Sequence, residues 1–380
     1  MGSMTPLEPT FTFGIEEEYH LVDLETRNLA SAPQALMDEC ETILGSQVGP
    51  EFFRSQIEIG TRVCTSFAQA KSELSRLRGC ITQTAARHGL APIASSTHPF
   101  ARKSTLETTP KERYEALARD FAHIGRRLAI CGMHVHVGIE DKELRIDLMN
   151  QLRYFLPHLL MLSTSSPFWE GEDTGLKSYR LAIFHELPRT GLPQRFASWG
   201  EYQRTVDVLV RNKVIEDASK IWWDLRPSAK FPTLEMRVTD VTPRIEDALA
   251  IAALYVASAR MLYRLRRRNQ SWRQYPAFLI EENRWRAQRY PVHTSLFDYG
   301  QGELVDFSEL IDELIDLLAE DIDALDCKAE IEHARKIATQ GTSADRQVAA
   351  YQSRIDAGDT KEDALKHVVD QLIAETTAGI

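Results

Sequence analysis

Apolar and polar residues alternate in five separate segments, and this pattern constrains the fold more than any other feature of the chain. In segment 11–22, apolar side chains alternate with Glu16, Glu18 and His20, so these three polar groups share one face of an extended strand. The same period of two recurs at 55–59, 132–139, 222–226 and 233–239. The pattern predicts a mostly antiparallel sheet whose apolar face packs under helices while its other face stays polar.

Longer segments between these strands have the patterning of helices, at 67–88, 110–127, 142–162, 199–220 and 245–268. We therefore predict an α+β fold. No repeat or linker-like segment divides the chain, so we assign 4–380 to a single domain whose last part, 281–380, is mostly helical. Residues 1–3 precede Met4 and are predicted to be left over from expression.

The composition is that of a soluble globular protein. Hydrophobic residues make up 43% of the chain and charged residues 26%, which excludes a disordered or low-complexity chain. The 45 basic and 55 acidic residues give a net charge of −10, which argues against a nucleic-acid partner. No apolar run reaches the ~18 residues of a membrane helix. Because the five cysteines lack CxxC spacing, we expect no disulfide framework and a cytoplasmic location.

Glu16 and Glu18 lie two residues apart on the first predicted strand, so both carboxylates project from the same face. Two like charges held together repel unless a cation neutralises them. Carboxylate oxygens are ligands that suit Mg²⁺ and Mn²⁺. The pair therefore indicates a metal site, with solvated acids at a strand end as the alternative.

Segment 132–138 reads Gly-Met-His-Val-His-Val-Gly and places His134 and His136 on one face of an otherwise apolar strand. Two imidazoles on such a strand favour a binding function over a pair of core histidines. Either both bind zinc, or one binds a metal while the other contacts phosphate. The spacing alone leaves both open.

A third polar set combines cations with acids. Glu235 and Arg237 share a face of the last predicted strand, and Arg226 lies in the segment just before it. Guanidinium groups fork onto phosphate or carboxylate oxygens, so this set indicates an anion clamp beside a metal ligand, or a cross-strand salt bridge. Glu58, with Glu51 seven residues earlier, indicates further metal-binding acids more weakly.

Taken together, these residues are suited to hold a Mg²⁺–nucleotide and to stabilise a transferring phosphoryl group. The sequence has no Walker A motif, glycine-rich kinase loop or dinucleotide-binding fingerprint. The nucleotide would therefore be held by metal and arginine on a sheet. A zinc-dependent hydrolase that uses His134 and His136 is the alternative from another class.

Seven motifs resemble, in order, those of the carboxylate–amine ligases called glutamate–cysteine ligase type 2, in the glutamine synthetase-like superfamily. The motifs lie at 14–18, 95–100, 132–138, 165–167, 224–228, 234–238 and 341–346. The resemblance runs from about Phe11 to Gln347, which is nearly the whole chain. It implies a glutamine synthetase-like catalytic domain, in which an antiparallel sheet forms a funnel-shaped site backed by helices.

The resemblance also implies an activity. ATP would phosphorylate the γ-carboxylate of glutamate. An amine would then attack this activated group to give an amide, and the family's name implies that the amine is cysteine. The implied cofactors are ATP and two or more Mg²⁺ ions, with Mn²⁺ as the alternative ion. The implied partners are small molecules and not nucleic acid or membrane, and a homodimer is compatible with the family. A phosphotransferase of the guanidino-kinase type on the same fold would need no second amine.

Matching positions to the motifs implies a role for each site residue. The implied catalytic clamps on the transferring group are Arg226 and Arg237. The implied contacts to ATP phosphates are His136 and Arg237. The implied substrate contacts are Thr97, His98 and Arg180. The implied metal ligands are Glu16, Glu18, Glu51, Glu58, His134 and Glu235.

Overall fold

The computed structural model describes residues 8–102, 106–125 and 127–380. The predicted expression remnant at 1–3 and Arg126, which belongs to one predicted helix, lie outside these ranges. The strands are β1 (Phe13–Asp23), β2 (Val48–Pro50), β3 (Gln56–Gly60), β4 (Leu90–Ile93), β5 (Met133–Gly138), β6 (Phe168–Trp169), β7 (Glu172–Asp173), β8 (Thr190–Gly191), β9 (Trp222–Trp223), β10 (Leu225–Pro227), β11 (Thr233–Met236), β12 (Ser295–Asp298) and β13 (Glu303–Asp306).

Helices account for most of the remaining chain. They are α1 (Gln34–Leu44), α2 (Phe67–Ala86), α3 (Glu112–Gly125), α4 (Lys142–Leu152), α5 (Leu156–Ser163), α6 (Tyr179–Phe184), α7 (Trp199–Arg211), α8 (Ile245–Arg267), α9 (Ala277–Arg289), α10 (Phe307–Leu317), α11 (Ala319–Leu325), α12 (Lys328–Gln340), α13 (Ser343–Asp356) and α14 (Lys361–Thr377).

An antiparallel sheet in the order β10-β11-β5-β1-β3-β2 organises the molecule, and β4 also pairs with β1. Strand β1 is long enough to pair with β3 along one edge and with β5 and then β4 along the other. This register places Glu18 opposite Glu58, and Glu16 opposite His134. Because residues paired across neighbouring strands share a face, the polar residues of four strands meet on one side of the sheet.

The apolar side of the sheet packs against α2, α4 and α8. Helix α8 is long and apolar enough to cross a membrane by length and composition alone, but 83% of its most apolar window is buried inside the protein. It contacts α2, α5, α11 and α12 as well as β5. Burial on all sides identifies α8 as the central helix of the core.

Some element boundaries differ from the predictions. The predicted helix at 142–162 divides into α4 and α5 around a 3₁₀ turn at Arg153–Phe155, just before Pro157. Proline has no N–H to continue the hydrogen-bond ladder, so the break falls at that point. The predicted helix at 199–220 ends at Arg211, and the hairpin β12–β13 lies within the C-terminal part.

Glu17 is a charged residue on the apolar side of β1, and it is fully buried. Arg78 of α2, which is buried as completely, donates hydrogen bonds to its carboxylate from Nε at 2.9 Å and from Nη2 at 2.7 Å. The Tyr19 hydroxyl donates to the same carboxylate. Arg78 also donates to the carbonyl oxygens of Thr242, at 3.0 Å, and Pro243. The pair therefore joins β1, α2 and the segment that leads into α8.

Replacing Arg78 with methionine should lower the free energy of unfolding by about 3–5 kcal/mol, because Glu17 is then left buried without its cation. Chemical denaturation of the purified variant measures the loss. Arg87→Met is the control: it removes an exposed ion pair with Glu39 just after the same helix, so it should cost less than about 1 kcal/mol. Equal losses in the two variants would contradict the structural role of the buried pair.

Candidate active site

The polar face of the sheet carries an imidazole–carboxylate cluster, formed by Glu16, His136 and Glu235. These residues come from β1, β5 and β11, and each offers one ligand atom within 4.8 Å of the others. The two oxygens of Glu16 lie 3.4 Å from Nε2 of His136 and 3.5 Å from Nδ1 of His134. The cluster has the mixed oxygen and nitrogen donors that hold a divalent cation.

A three-carboxylate cluster lies on the same face, formed by Glu18, Glu51 and Glu58. Their oxygens also come within 4.8 Å of one another. Glu18 and Glu58 are partners in the β1–β3 register, and Glu51 directly follows β2, which pairs with β3. The backbone N–H of Gly132 donates to Glu18 at 2.6 Å. The structure thus brings all three predicted acids together, Glu51 included.

Hydrogen bonds from histidines and the charges of arginines stabilise the ionised acids of the imidazole–carboxylate cluster. Burial alone would raise the pKa of Glu16, but hydrogen bonds with His134 and His136 hold that pKa well below its ordinary value. Burial would likewise raise the pKa of Glu235, but the guanidinium groups of Arg237 and Arg226 lower it. Both carboxyls are therefore ionised at neutral pH, ready to bind a cation.

The three-carboxylate cluster is compensated only in part, by Arg180, Arg237 and the N–H of Gly132 at Glu18. Burial, followed by the charge of Glu51, raises the pKa of Glu18 from its ordinary value of 4.5 to about 8. Burial and the charges of Glu51, Glu16 and Glu18 raise the pKa of Glu58 well above its ordinary value. These acids retain protons at neutral pH unless a cation replaces them.

The arginines form the predicted cross-strand salt bridge and also keep a free donor. Arg226 donates to Glu235 from Nε at 3.0 Å, and Nη1 is fixed by the carbonyl oxygens of Ser219 and Ile221. Arg237 is ion-paired with the other oxygen of Glu235, and its buried Nε has no hydrogen-bond partner among the described residues. Such an orphaned N–H is suited to donate to an anion oxygen.

His134 is held neutral. Burial, followed by the charge of Arg237, lowers the pKa of its imidazole to about 4. Its Nδ1 lies 3.5 Å from Nη1 of Arg237. A neutral imidazole keeps the lone pair that metal coordination requires.

Arg180 lies close to these clusters although it is distant in sequence. It is buried, donates to the carbonyl oxygen of Arg237 at 3.1 Å, and has Nη1 3.9 Å from Asp240. A Cβ on Gly132 would collide with its guanidinium, so glycine at that position permits the approach. This position is consistent with the predicted carboxylate contact.

Thr97 and His98 are buried and make structural hydrogen bonds. The Thr97 hydroxyl donates to the carbonyl oxygen of Phe168 at 2.8 Å. His98 accepts from the N–H of Ala101 at 2.9 Å and contacts the carbonyl oxygen of Arg27. Neither lines the cavity that adjoins the acids. Their contact with substrate stays a prediction that these hydrogen bonds do not support.

Asp240 is a positioning residue that the strand patterns did not reveal. Its carboxylate accepts from the N–H of Ser165 and the hydroxyls of Ser166 and Ser178, at 2.7–2.9 Å, while it faces Arg180. It follows the end of β11, so alternation gives no indication of it. The motif at 165–167 contributes to the family resemblance. Its hydrogen bonds with Asp240 depend on tertiary contacts, which the motif alone does not predict.

The chain matches the model of one protein family, described as Glutamate-cysteine ligase family 2, over residues 12–371. A relative from Rhodospirillum rubrum, provisionally named glutamate–cysteine ligase 2, is 57% identical over 98% of this chain and 97% of its own. A relative from Ruegeria pomeroyi with the same provisional name is 53% identical over 100% of this chain and 98% of its own.

Two solved structures are similar in fold at low sequence identity. A glutamate–cysteine ligase from Francisella tularensis, solved in complex with AMP, has a TM-score of 0.66 at 12% identity, over 98% of this chain and 90% of that one. A bifunctional glutathione synthetase from Pasteurella multocida has a TM-score of 0.69 at 15% identity, over 96% of this chain and 52% of that one. These likenesses confirm the predicted α+β fold, which this chain shares with both of these ligases.

The metal-free protein should become less stable as pH rises from 7 to 8. The folded Glu18 carboxyl, with a pKa of about 8, is still substantially protonated there, whereas the unfolded chain has lost this proton. The folded state then binds more protons than the unfolded state, so the free energy of unfolding falls across that window. Below pH 7 the buried histidines, whose pKa values are lowered, act in the opposite direction, because the unfolded chain protonates them first. Denaturant titrations in EDTA at pH 7, 7.5 and 8 measure the slope.

Glu58→Gln should flatten this pH slope, since it removes a second carboxyl whose pKa is raised, whereas exposed Glu303→Gln should leave the slope unchanged. Saturating Mg²⁺ or Mn²⁺ should abolish the slope, because carboxylates that bind metal have lost their protons in the folded chain as in the unfolded one. A slope that is the same for all three proteins and insensitive to metal would contradict the assignment of these acids.

Proposed function

This chain belongs to glutamate–cysteine ligase family 2 and is a ligase that forms a carbon–nitrogen bond, and we propose that its reaction depends on ATP and Mg²⁺. The proposed donor is the γ-carboxylate of glutamate, and the acceptor is an amine. The observation that carries the proposal is the pair of acidic clusters on one sheet face, beside an arginine N–H that has no hydrogen-bond partner among the described residues. A triphosphate beside a carboxylate needs this combination of cation sites and anion clamps.

The donor atoms fit hard divalent cations. The three-carboxylate cluster offers oxygen alone, and its raised pKa values indicate charge that a cation would neutralise. His136, which shares the imidazole–carboxylate cluster, is assigned instead to the nucleotide phosphates, because its buried Nε2 has no hydrogen bond among the described residues. We assign the metal ligands to Glu16, Glu18, Glu51, Glu58, His134 and Glu235, which supports two or more Mg²⁺ or Mn²⁺ ions.

The chain's own residues bind and orient the reactants. Bound Mg²⁺ would offset the charge of the triphosphate and of the donor carboxylate. Arg237 and Arg226 hold the phosphate oxygens and stabilise the charge that develops during phosphoryl transfer, and His136 contacts the nucleotide phosphates. Arg180 binds a substrate carboxylate, and Thr97 and His98 remain predicted contacts to the amino acid.

The proposed reaction has two steps. The donor carboxylate oxygen takes the γ-phosphoryl group, which gives an acyl phosphate and ADP. The amine nitrogen attacks the acyl carbon, the bond from that carbon to the phosphate oxygen breaks, and one proton leaves the nitrogen. Amide and phosphate are the products, and the activated carboxylate supplies the leaving group that a free carboxylate lacks.

The proposal also includes the cellular location, the partners and the oligomeric state. Residues 4–380 act as one ligase unit in the cytoplasm, with small-molecule substrates and with no nucleic-acid or membrane partner. The helix α8, which is buried in the core, is compatible with that setting. A homodimer is compatible with the family.

Glu16→Gln and Arg237→Ala should each lower glutamate- and amine-dependent ADP release at least about 100-fold, because the first removes an assigned metal ligand and the second removes a cation that faces the developing charge. A coupled assay for ADP with glutamate and a panel of amines measures this. Arg267→Ala, at an exposed position at the end of α8, is the matched control and should retain the wild-type rate. Unchanged ADP release in both site variants would overturn the site assignment.

Omitting the amine from this assay, and measuring bound zinc and ATP, distinguishes the two alternative classes of enzyme. ADP release that is stoichiometric with a stable phosphorylated product, and needs no second amine, would indicate a phosphotransferase instead. Tightly bound zinc with no binding of ATP would indicate a hydrolase that uses His134 and His136.

A further inference from the structure

We infer that the acceptor amine of this ligase carries a bulky apolar side chain, of branched aliphatic or phenyl size. The inference rests on the proposed function and names the acceptor class for the same site. It comes from a cavity of about 150 Å³ beside the three-carboxylate cluster.

The cavity has a charged part and an apolar part. The charged part is formed by Glu18, Glu51, His134, Arg180 and Arg237, which belong to the site described above or adjoin it. Most of the remaining lining is aliphatic or aromatic. Its members outside α3 are Phe52, Leu128, Ile130, Phe184, Leu187 and Trp222.

Two uncharged polar side chains of this lining, those of Gln56 and Tyr114, already make hydrogen bonds within the protein. Gln56 donates to the carbonyl oxygen of Ile130 at 2.8 Å and accepts from the N–H of Phe53 at 3.2 Å. The Tyr114 hydroxyl donates to the carbonyl oxygen of Pro50 at 3.0 Å. A polar acceptor side chain would lose water here without gaining a partner from these two residues, which disfavours binding.

The aliphatic and aromatic residues of the lining form an apolar wall, and several of its large side chains are partly exposed. Leu128, Phe184 and Trp222 are only half-buried, whereas Phe52 and Leu187 at the same cavity are buried. An apolar ligand group that covers these surfaces removes them from water, and this is the main favourable term in such binding. In addition, the Phe184 ring lies 5.5 Å from the Arg180 guanidinium, so one aromatic group joins the charged part to the apolar wall.

The cavity volume sets the size of that group. An apolar cavity of about 150 Å³ holds benzene in another protein. The cavity here has about that volume, although part of it lies against charged residues. A phenyl or isobutyl group therefore matches the apolar part better than a methyl group or a thiol.

The occupant is assigned to the acceptor because glutamate is charged at both ends. If glutamate filled the cavity, one charged end would lie against the apolar wall without a partner, which is costly. An apolar amino acid places its charged groups near Arg180 and the acids, and its side chain against the wall. Its nitrogen then lies on the side of the cavity where the donor carboxylate is activated.

The test uses the full chain with ATP, Mg²⁺ and glutamate, and compares phenylalanine, leucine, alanine and cysteine as acceptors. ADP release and mass spectrometry of the amide give kcat/KM for each amine. Hydroxylamine serves as a small nucleophile that traps the activated donor as a hydroxamate, whatever the acceptor pocket prefers. Phenylalanine or leucine should exceed alanine and cysteine by at least about tenfold, the discrimination expected from the burial of one or more methylene groups.

Two variants test whether the wall causes this preference. Phe184→Ala and Trp222→Ala remove half-buried side chains, and each should lower the ratio of kcat/KM for phenylalanine to that for alanine at least about fivefold. A merely structural defect would lower both rates and leave the ratio unchanged. Phe278→Ala, which truncates a side chain that is 77% exposed on α9, is the matched control and should keep the wild-type ratio.

The outcomes separate this inference from the proposed function. If hydroxamate forms but cysteine or alanine is preferred, or if neither wall variant changes the ratio, the inference is overturned while the ligase function stands. If no hydroxamate and no ADP appear with glutamate, the proposed function fails, and the inference that rests on it fails too.

Discussion

The pleat of β1 is the constraint on which the site depends, because three consecutive acids must divide between two faces. Glu16 and Glu18 project to the polar side, and Glu17 projects into the core, where Arg78 neutralises it. That buried pair fixes β1 against α2 and against the carbonyl oxygens of Thr242 and Pro243. A shift of one residue in the register would bury two acids and expose the third, so the ion pair also specifies which carboxylates lie on the polar face of the sheet.

The two acidic clusters on that face differ in electrostatic character. Around Glu16 and Glu235, histidines and arginines lower the carboxyl pKa values, and the cluster keeps its charge without an external cation. Around Glu18 and Glu58, burial and like charges raise the pKa values, so these carboxyls stay protonated at neutral pH unless a cation binds. Metal binding should therefore stabilise the second cluster more strongly, and the arginine side of the face remains available for anions.

The strands and their facing residues were predictable because a period of two directly reports which side chains share a face. Glu16, His136 and Glu235 meet as that period requires, and so do Glu18 and Glu58. The helices were predictable in existence but less so at their ends, where Pro157 and the hairpin β12–β13 interrupt the patterns. The family was also predictable, because the ordered motifs span most of the chain.

The sequence by itself determined the fold class, the family and the strand acids that share the polar face of the sheet, because alternation and motif order can be read along the chain without tertiary contacts. Only the tertiary structure decided three other features. It paired Glu17 with Arg78, it placed Asp240 and the serines of 165–166 behind Arg180, and it gathered an apolar wall from segments far apart in the chain. Each of these depends on contacts between residues distant in sequence, and no local period encodes which distant partner a buried charge or a cavity wall will meet.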